Sequence, residues 1–122
     1  MSQAKKTLVL GASDDPSRYS YLAINRLREN GHPVEGIGRH AVTVADVAIH
    51  TDKPAFAGID TVTLYLSPAN QRNYYDYIIS LHPKRIIFNP GAENEELAEL
   101  ARRHQIYPQE ACTLVLLSTG QY

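Results

Sequence analysis

The chain has 122 residues, of which 43% are hydrophobic and 20% charged, and its formal net charge is −1 at pH 7. This length predicts a single domain over residues 1–122, and the balanced charge provides no basic footprint for nucleic acid. The single cysteine, Cys112, excludes a disulfide framework and a thiolate zinc site.

Strand-like and helix-like segments alternate from the first residues onward. An unbroken apolar run at residues 7–10 predicts a strand buried on both faces, and Gly11 ends it. A helical periodicity follows over residues 19–30, with Gly31 placed to end the helix. Residues 33–37 then predict a second strand, which stops at Gly38.

The segment 39–58 predicts a short third strand or extended stretch without a full crossover helix. After it the alternation is clear again. The patterns predict a strand at 61–66, a helix at 69–81, a strand at 85–89, a helix at 94–104, a short strand near 106–107 and an apolar tail at 113–117.

Strands that alternate with helices form right-handed βαβ units. The sequence therefore predicts an α/β fold: a small doubly wound parallel sheet, Rossmann-like, with its first strand central and helices on both faces. Such sheets bind ligands outside the carboxyl ends of the strands, where the strand order reverses. The loops expected at that edge are 11–18, 38–40, 66–70 and 89–94.

The loop after the first strand has the composition of a phosphate cradle. Gly11 allows a tight turn and close backbone approach, and Ser13 and Ser20 carry hydroxyls near the start of a helix. Arg18 can add a charge-assisted contact. A side chain introduced at Gly11 is expected to stand where the phosphates approach. The alternative is that Gly11 only turns the chain and Ser13 or Ser17 caps a helix.

The end of the second strand carries a basic residue. NAD-binding domains place Asp or Glu there to bind a ribose diol, whereas this strand ends in Gly38 followed by Arg39, and Glu35 lies too early. A guanidinium at this point suits a ribose that carries a phosphate, as in CoA or NADP. The alternative is a solvent-facing arginine in a loop.

Two further loops border the same predicted edge. Asn89 offers amide hydrogen bonds and Gly91 allows backbone approach, although a plain turn and helix cap would use the same residues. Ser67 and Pro68 are typical of a helix start and only secondarily of a ligand contact.

The order of these motifs resembles a known family, the small single-domain CoA-binding proteins. These are stand-alone relatives of the CoA-binding domain of the succinyl-CoA synthetase alpha subunit. The resemblance covers nearly the whole chain and rests on VLGAS at 9–13, LRENGHPV at 27–34, NPGAENEEL at 89–97 and ACTLVLL at 111–117.

This resemblance implies a Rossmann-like fold that binds CoA. It places the pyrophosphate near the first loop and the phosphorylated ribose near the second, with the adenosine or the pantetheine entrance at the last two. The residues concerned are Gly11, Ala12, Ser13, Arg18 and Ser20, then Gly38 and Arg39, then Ser67, Pro68, Asn89 and Gly91. One departure is that the family has a Val-Asn-Pro-like stretch, often with a lysine, where this chain has Gly36-Ile37-Gly38-Arg39. Either Arg39 replaces the lysine, or the ligand has changed or been lost.

Three functions follow as hypotheses. The first is a non-catalytic CoA-binding module that works with a partner protein or as a homodimer. The second is an NADP- or NAD-binding protein or redox sensor, and the third is an interaction protein with a vestigial nucleotide pocket. We expect no catalytic residue and no metal site, since the histidines form no ligand pair and Cys112 adjoins an apolar tail.

The sequence also predicts where the chain works. No apolar run reaches about 18 residues, so no membrane-spanning helix is expected. The first six residues lack the plan of a secretory leader, and the expected location is the cytoplasm.

Overall fold

A single seven-stranded sheet organises the computed structural model, which describes residues 3–122; Met1 and Ser2, part of the segment interpreted above as lacking a leader, lie outside the described residues. Its strands are β1 (Thr7–Ala12), β2 (Val34–Gly38), β3 (Thr43–Val44), β4 (Val47–His50), β5 (Thr61–Leu64), β6 (Arg85–Phe88) and β7 (Tyr107–Glu110). They lie in the order β3-β4-β2-β1-β5-β6-β7.

All neighbouring strands run parallel except β3 and β4, which are antiparallel at the edge. β1 is central, with three strands on each side, as predicted. The chain moves outward from β1 to β2 and then returns to the other side at β5, so the order reverses between β1 and β5. The prediction of a doubly wound, Rossmann-like sheet is confirmed.

Helices cover both faces of the sheet. They are α1 (Tyr19–Glu29), α2 (Pro68–Gln71), α3 (Tyr75–Ser80), α4 (Glu95–Arg103) and α5 (Thr113–Ser118). α1 and α5 contact each other on one face, whereas α3 and α4 pack on the opposite face. None of the helices within residues 3–122 combines the length and apolar character needed to cross a membrane.

Alternation along β1 divides the core into two layers. Leu8 and Leu10 point to the layer under α3 and α4, and Val9 points to the layer under α1. All three side chains have no exposed surface. Full burial on both faces explains why the strands are unbroken apolar runs in the sequence.

The structure corrects three details of the predicted elements. The helix expected at 69–81 is interrupted by a 3₁₀ turn at Arg72–Tyr74, where the weak helix former Asn73 lies. The helix expected at 94–104 covers Glu95–Arg103, and His104 caps its carboxyl end as an exposed residue. The apolar tail at 113–117 is a helix, α5, whose buried residues Thr113 and Leu116 lie three positions apart, and it packs beside α1 rather than joining the sheet.

Candidate functional site

The carboxyl ends of β2, β1, β5 and β6 form one continuous edge of the sheet. These four strands are parallel neighbours, so the loops that follow them leave the sheet on the same side. The structure thus brings together the loops at 11–18, 38–40, 66–70 and 89–94. Because the order reverses between β1 and β5, a ligand crevice is expected between the first and third of these loops.

The side of Gly11 that would carry a side chain faces Tyr65, the residue that follows β5. Gly11 lies at an irregularity in the β1–β2 register and has a φ of +92°. A Cβ atom added here would lie 2.7 Å from the Tyr65 carbonyl oxygen and 2.9 Å from its carbon. The expectation that a side chain at Gly11 would meet the phosphates is therefore wrong: it would first meet the backbone of the chain.

The rest of the first loop is held by its own acidic residue. The Asp15 carboxylate accepts hydrogen bonds from the Ser17 backbone N–H at 2.9 Å and from the Ser17 hydroxyl at 2.7 Å. Its second oxygen lies 3.9 Å from Arg18 Nε. The hydrogen bonds from the Ser17 backbone and hydroxyl, with a smaller effect of Arg18, lower the pKa of the Asp15 carboxyl. Ser13 Oγ accepts from the Asp15 N–H at 3.0 Å, and Ser20 is buried in the first turn of α1.

The end of β2 admits no side chain at Gly38. A Cβ atom there would overlap the carbonyl oxygen of Ala12 on β1. Arg39 is consequently the first residue after β2 that presents a side chain at this edge, and it is exposed. Glu35 lies within β2 beside Lys6, with 3.7 Å between carboxylate and ammonium, and residues 36–45 contain no Asp or Glu. This edge therefore offers a guanidinium where a diol-binding carboxylate would be needed for NAD.

Asn89 lies beneath the edge and cross-links three elements. It is 3% exposed, and its Nδ2 donates to Thr63 Oγ1 at 2.7 Å and to the Leu64 carbonyl at 2.8 Å. Its Oδ1 accepts from the Thr113 N–H at 2.9 Å. Both amide hydrogens are thus donated within the chain. We expect Asn89 to fix the positions of β5, β6 and α5 rather than donate to a ligand.

The sequence reasoning missed Gln71, which joins two of the loops. Gln71 has no exposed surface, and its Nε2 donates to the carbonyls of Leu66 and Ala92, each at 2.8 Å. Its Oε1 accepts from Asn94 Nδ2 at 2.9 Å. A signal was present in the sequence, since Gln71 lies seven residues before buried Ile78 and hence on the apolar face of the predicted helix.

Ser67, Pro68 and Gly91 remain on the surface of the third and fourth loops. Ser67 precedes α2 without a capping hydrogen bond from its side chain, and Pro68 is the first residue of that helix. Gly91 has a φ of +92°, and a Cβ atom added there would have nothing within 4 Å. Its backbone N–H donates to the Glu93 carboxylate at 2.8 Å. The backbone at Gly91 is therefore open to approach from outside.

The edge is richer in binding groups than in reactive ones. His40 is exposed in the second loop, and Cys112 is partly buried just before α5. Among residues 3–122, no three His, Cys, Asp or Glu side chains are grouped to hold a metal ion. The outward-facing groups include the guanidinium groups of Arg18 and Arg39, the hydroxyls of Ser13 and Ser67, and the carboxylates of Asp14 and Asp15. The cations and hydroxyls fit a phosphorylated nucleotide, because they are the partners that phosphate oxygens require, whereas the two carboxylates oppose its charge.

Comparisons with known proteins agree with this geometry. The model of a family described as CoA binding domain matches residues 5–118. An uncharacterized protein of known crystal structure is 49% identical, with a TM-score of 0.96 over 99% of this chain and 100% of that one. A protein designated cell-free ID.343 from Thermus thermophilus is 18% identical, with a TM-score of 0.86 over 98% and 91% of the two chains. A hypothetical protein from Pyrococcus horikoshii OT3 is 21% identical, with a TM-score of 0.82 over 96% and 84%. No curated protein matches the sequence.

Proposed function

Since the chain belongs to the CoA binding domain family, we propose that it binds CoA or acyl-CoA as one stand-alone module that performs no chemistry on its ligand. The observation that carries this proposal is the end of β2. Gly38 is packed on Ala12, and the first side chain that can reach a ligand there is the exposed guanidinium of Arg39. A charge-assisted hydrogen bond from Arg39 matches the phosphorylated ribose of CoA.

The other loops supply the remaining contacts in this proposal. The diphosphate lies along the backbone of residues 11–13, with the Ser13 hydroxyl and the Arg18 guanidinium as donors and the first turn of α1, including Ser20, behind it. The adenosine and the pantetheine entrance are bordered by Ser67, Pro68 and the open backbone at Gly91. Asn89 does not contact the ligand in this proposal; its hydrogen bonds within the chain hold these loops in place.

A module that binds without reacting acts as a carrier or sensor. We therefore propose that the loaded chain works with a partner protein or with a second copy of itself. Incubation with acetyl-CoA, followed by mass analysis of the ligand, tests the non-catalytic part: the thioester is expected to be recovered intact at the rate of the protein-free control. Protein-dependent loss of the acetyl group would overturn it.

Arg39 also supports a second candidate ligand, NADP. A guanidinium at this point can bind the 2′-phosphate of NADP as well as the 3′-phosphate of CoA, because both phosphates are carried on the adenosine ribose. NAD lacks this phosphate and is disfavoured by the absence of an acidic residue in 36–45. Comparing the affinities of the chain for CoA and for NADP distinguishes the two candidates.

Isothermal titration calorimetry with CoA, dephospho-CoA, NADP and NAD tests the proposal. We expect CoA to bind at least tenfold more tightly than dephospho-CoA, since a charge-assisted contact contributes roughly 1.5–3 kcal/mol. Arg39→Ala is expected to remove most of this preference. Arg26→Ala, which deletes an equal charge from an exposed site on α1, is the matched control and is expected to retain it.

The alternatives give different results in the same titrations. Equal affinity for CoA and dephospho-CoA in the unsubstituted chain would remove Arg39 from the site. Tighter binding of NADP than of CoA would favour the second candidate. Binding of none of the four ligands would refute both and favour an interaction protein with a vestigial pocket.

A further inference from the structure

We propose that Asp15 limits the affinity of the proposed CoA site, because its carboxylate competes with the diphosphate of the ligand for the donors of the first loop. This inference rests on the proposed function. The donors in question are the Ser17 N–H, the Ser17 hydroxyl and the Arg18 guanidinium, all of which face the Asp15 carboxylate.

The contacts show that the carboxylate holds groups that a phosphate would use. Two donors of Ser17 point at one Asp15 oxygen, at 2.9 and 2.7 Å. The second oxygen lies 3.9 Å from Arg18, the only cation in the loop at 11–18. A phosphate that approaches Arg18 therefore shares its guanidinium with this carboxylate or displaces it. Both partners are more than half exposed, so the exchange needs no unpacking of the core.

Charge adds to this direct competition. The loop at 11–18 contains Asp14 and Asp15 against the single Arg18, so its formal charge before binding is −1. A diphosphate brought within about 6 Å of an exposed carboxylate is repelled even in a medium close to water. The resulting penalty corresponds to roughly a three- to tenfold loss of affinity at low ionic strength, and added salt screens it.

The proposed role has a signature that separates it from that of Arg39. The penalty acts on the diphosphate, which CoA and dephospho-CoA share, whereas Arg39 acts on the 3′-phosphate, which only CoA carries. Neutralising Asp15 is therefore expected to tighten the binding of both ligands by the same factor. The ratio between the two ligands is expected to stay unchanged.

Calorimetry with three neutral variants tests the competition. Asp15→Asn removes the charge but keeps an oxygen that can accept from Ser17, and Asp15→Ser removes the charge with a shorter acceptor. Asp14→Asn is the matched control, because Asp14 is the adjacent exposed carboxylate and loses the same charge. At low salt we expect both Asp15 variants to bind CoA and dephospho-CoA three- to tenfold more tightly than the wild-type chain. Asp14→Asn is expected to gain less, because Asp14 does not hold the donors of Ser17 and Arg18. The gap between the Asp15 variants and this control is expected to narrow at high salt.

Two results would overturn the inference and leave the proposed function standing. One is wild-type binding of CoA without any gain in the Asp15 variants over Asp14→Asn. The other is a gain that does not shrink as salt is added. If neither the wild-type chain nor any variant binds CoA, the proposed function itself fails, and the inference fails with it.

Discussion

Gly11 and Gly91 form a natural pair for testing how the candidate site is built. Both have a φ of +92°, a conformation that L side chains rarely adopt. They differ in the space around them. An added Cβ atom would lie 2.7 Å from the Tyr65 carbonyl oxygen at Gly11, but would have nothing within 4 Å at Gly91.

The two alanine substitutions are therefore expected to differ in cost. Left-handed backbone strain costs roughly 1–2 kcal/mol for alanine at either position. At Gly11 the backbone of Tyr65 must also shift, and overpacking of this kind adds roughly 1–3 kcal/mol. Gly91→Ala should thus reduce the free energy of unfolding by about 1–2 kcal/mol, and Gly11→Ala by about 2–5 kcal/mol.

Urea unfolding followed by circular dichroism measures both changes. The slope of the unfolding free energy against urea is expected to be the same for both variants, so that the midpoint shift reports stability directly. Equal losses in the two variants would refute the argument, because the difference rests entirely on the Tyr65 contact. A loss at Gly91 larger than that at Gly11 would refute it more strongly.

Two other predictions concern groups below the site and at the opposite edge of the sheet. Asn89→Ala removes three buried hydrogen bonds and leaves the Thr113 N–H without a partner, so the free energy of unfolding measured in urea should fall by roughly 2–5 kcal/mol. Asn73→Ala, at an exposed position, is the control and should change little. A loss below about 1 kcal/mol for Asn89→Ala would contradict its cross-linking role. His32 is 5% exposed and accepts from the Lys5 N–H at 2.9 Å, and its pKa is lowered, chiefly by burial, from the usual 6.5. Between the usual pKa and the lower pKa of the folded state, the unfolded chain binds more protons than the folded chain, so the melting temperature should fall as pH drops below 6.5. His32→Asn should flatten this decline. An equal decline in the wild type and the variant would contradict the role of His32.

The sequence was sufficient to predict the sheet because burial on both faces leaves a local record. The runs at 7–10, 61–66 and 85–89 consist mostly of apolar residues and threonine, which tolerate burial on both faces, and helical patterns lie between several of the strands. The site followed from topology, since the ends of parallel strands must share an edge. The residue assignments at that edge remain predictions.

Features that depend on pairing between distant segments could not be predicted in this way. The neighbour of Gly11 is Tyr65, and only the pairing of β1 with β5 brings them together. Whether the tail at 113–117 forms a strand or a helix depends on its packing beside α1, because a short apolar run suits either. The contacts between Asp15 and Ser17 are local by comparison, because Asp followed two residues later by Ser is a turn signal that the sequence itself contains.

The shared carboxamide of Gln71 divides the candidate site into two parts with different freedom to change. The loops after β5 and β6 cannot open independently, since the Leu66 and Ala92 carbonyls rely on one buried donor. Their amide hydrogens should exchange with solvent as one cooperative unit. The loops at 13–18 and 38–40 share no such donor: contacts of Asp15 with Ser17 and Arg18 lie within the first, and Arg39 and His40 are exposed in the second. Substitutions there can alter nucleotide preference one loop at a time, while the half of the edge formed by β5 and β6 retains its shape.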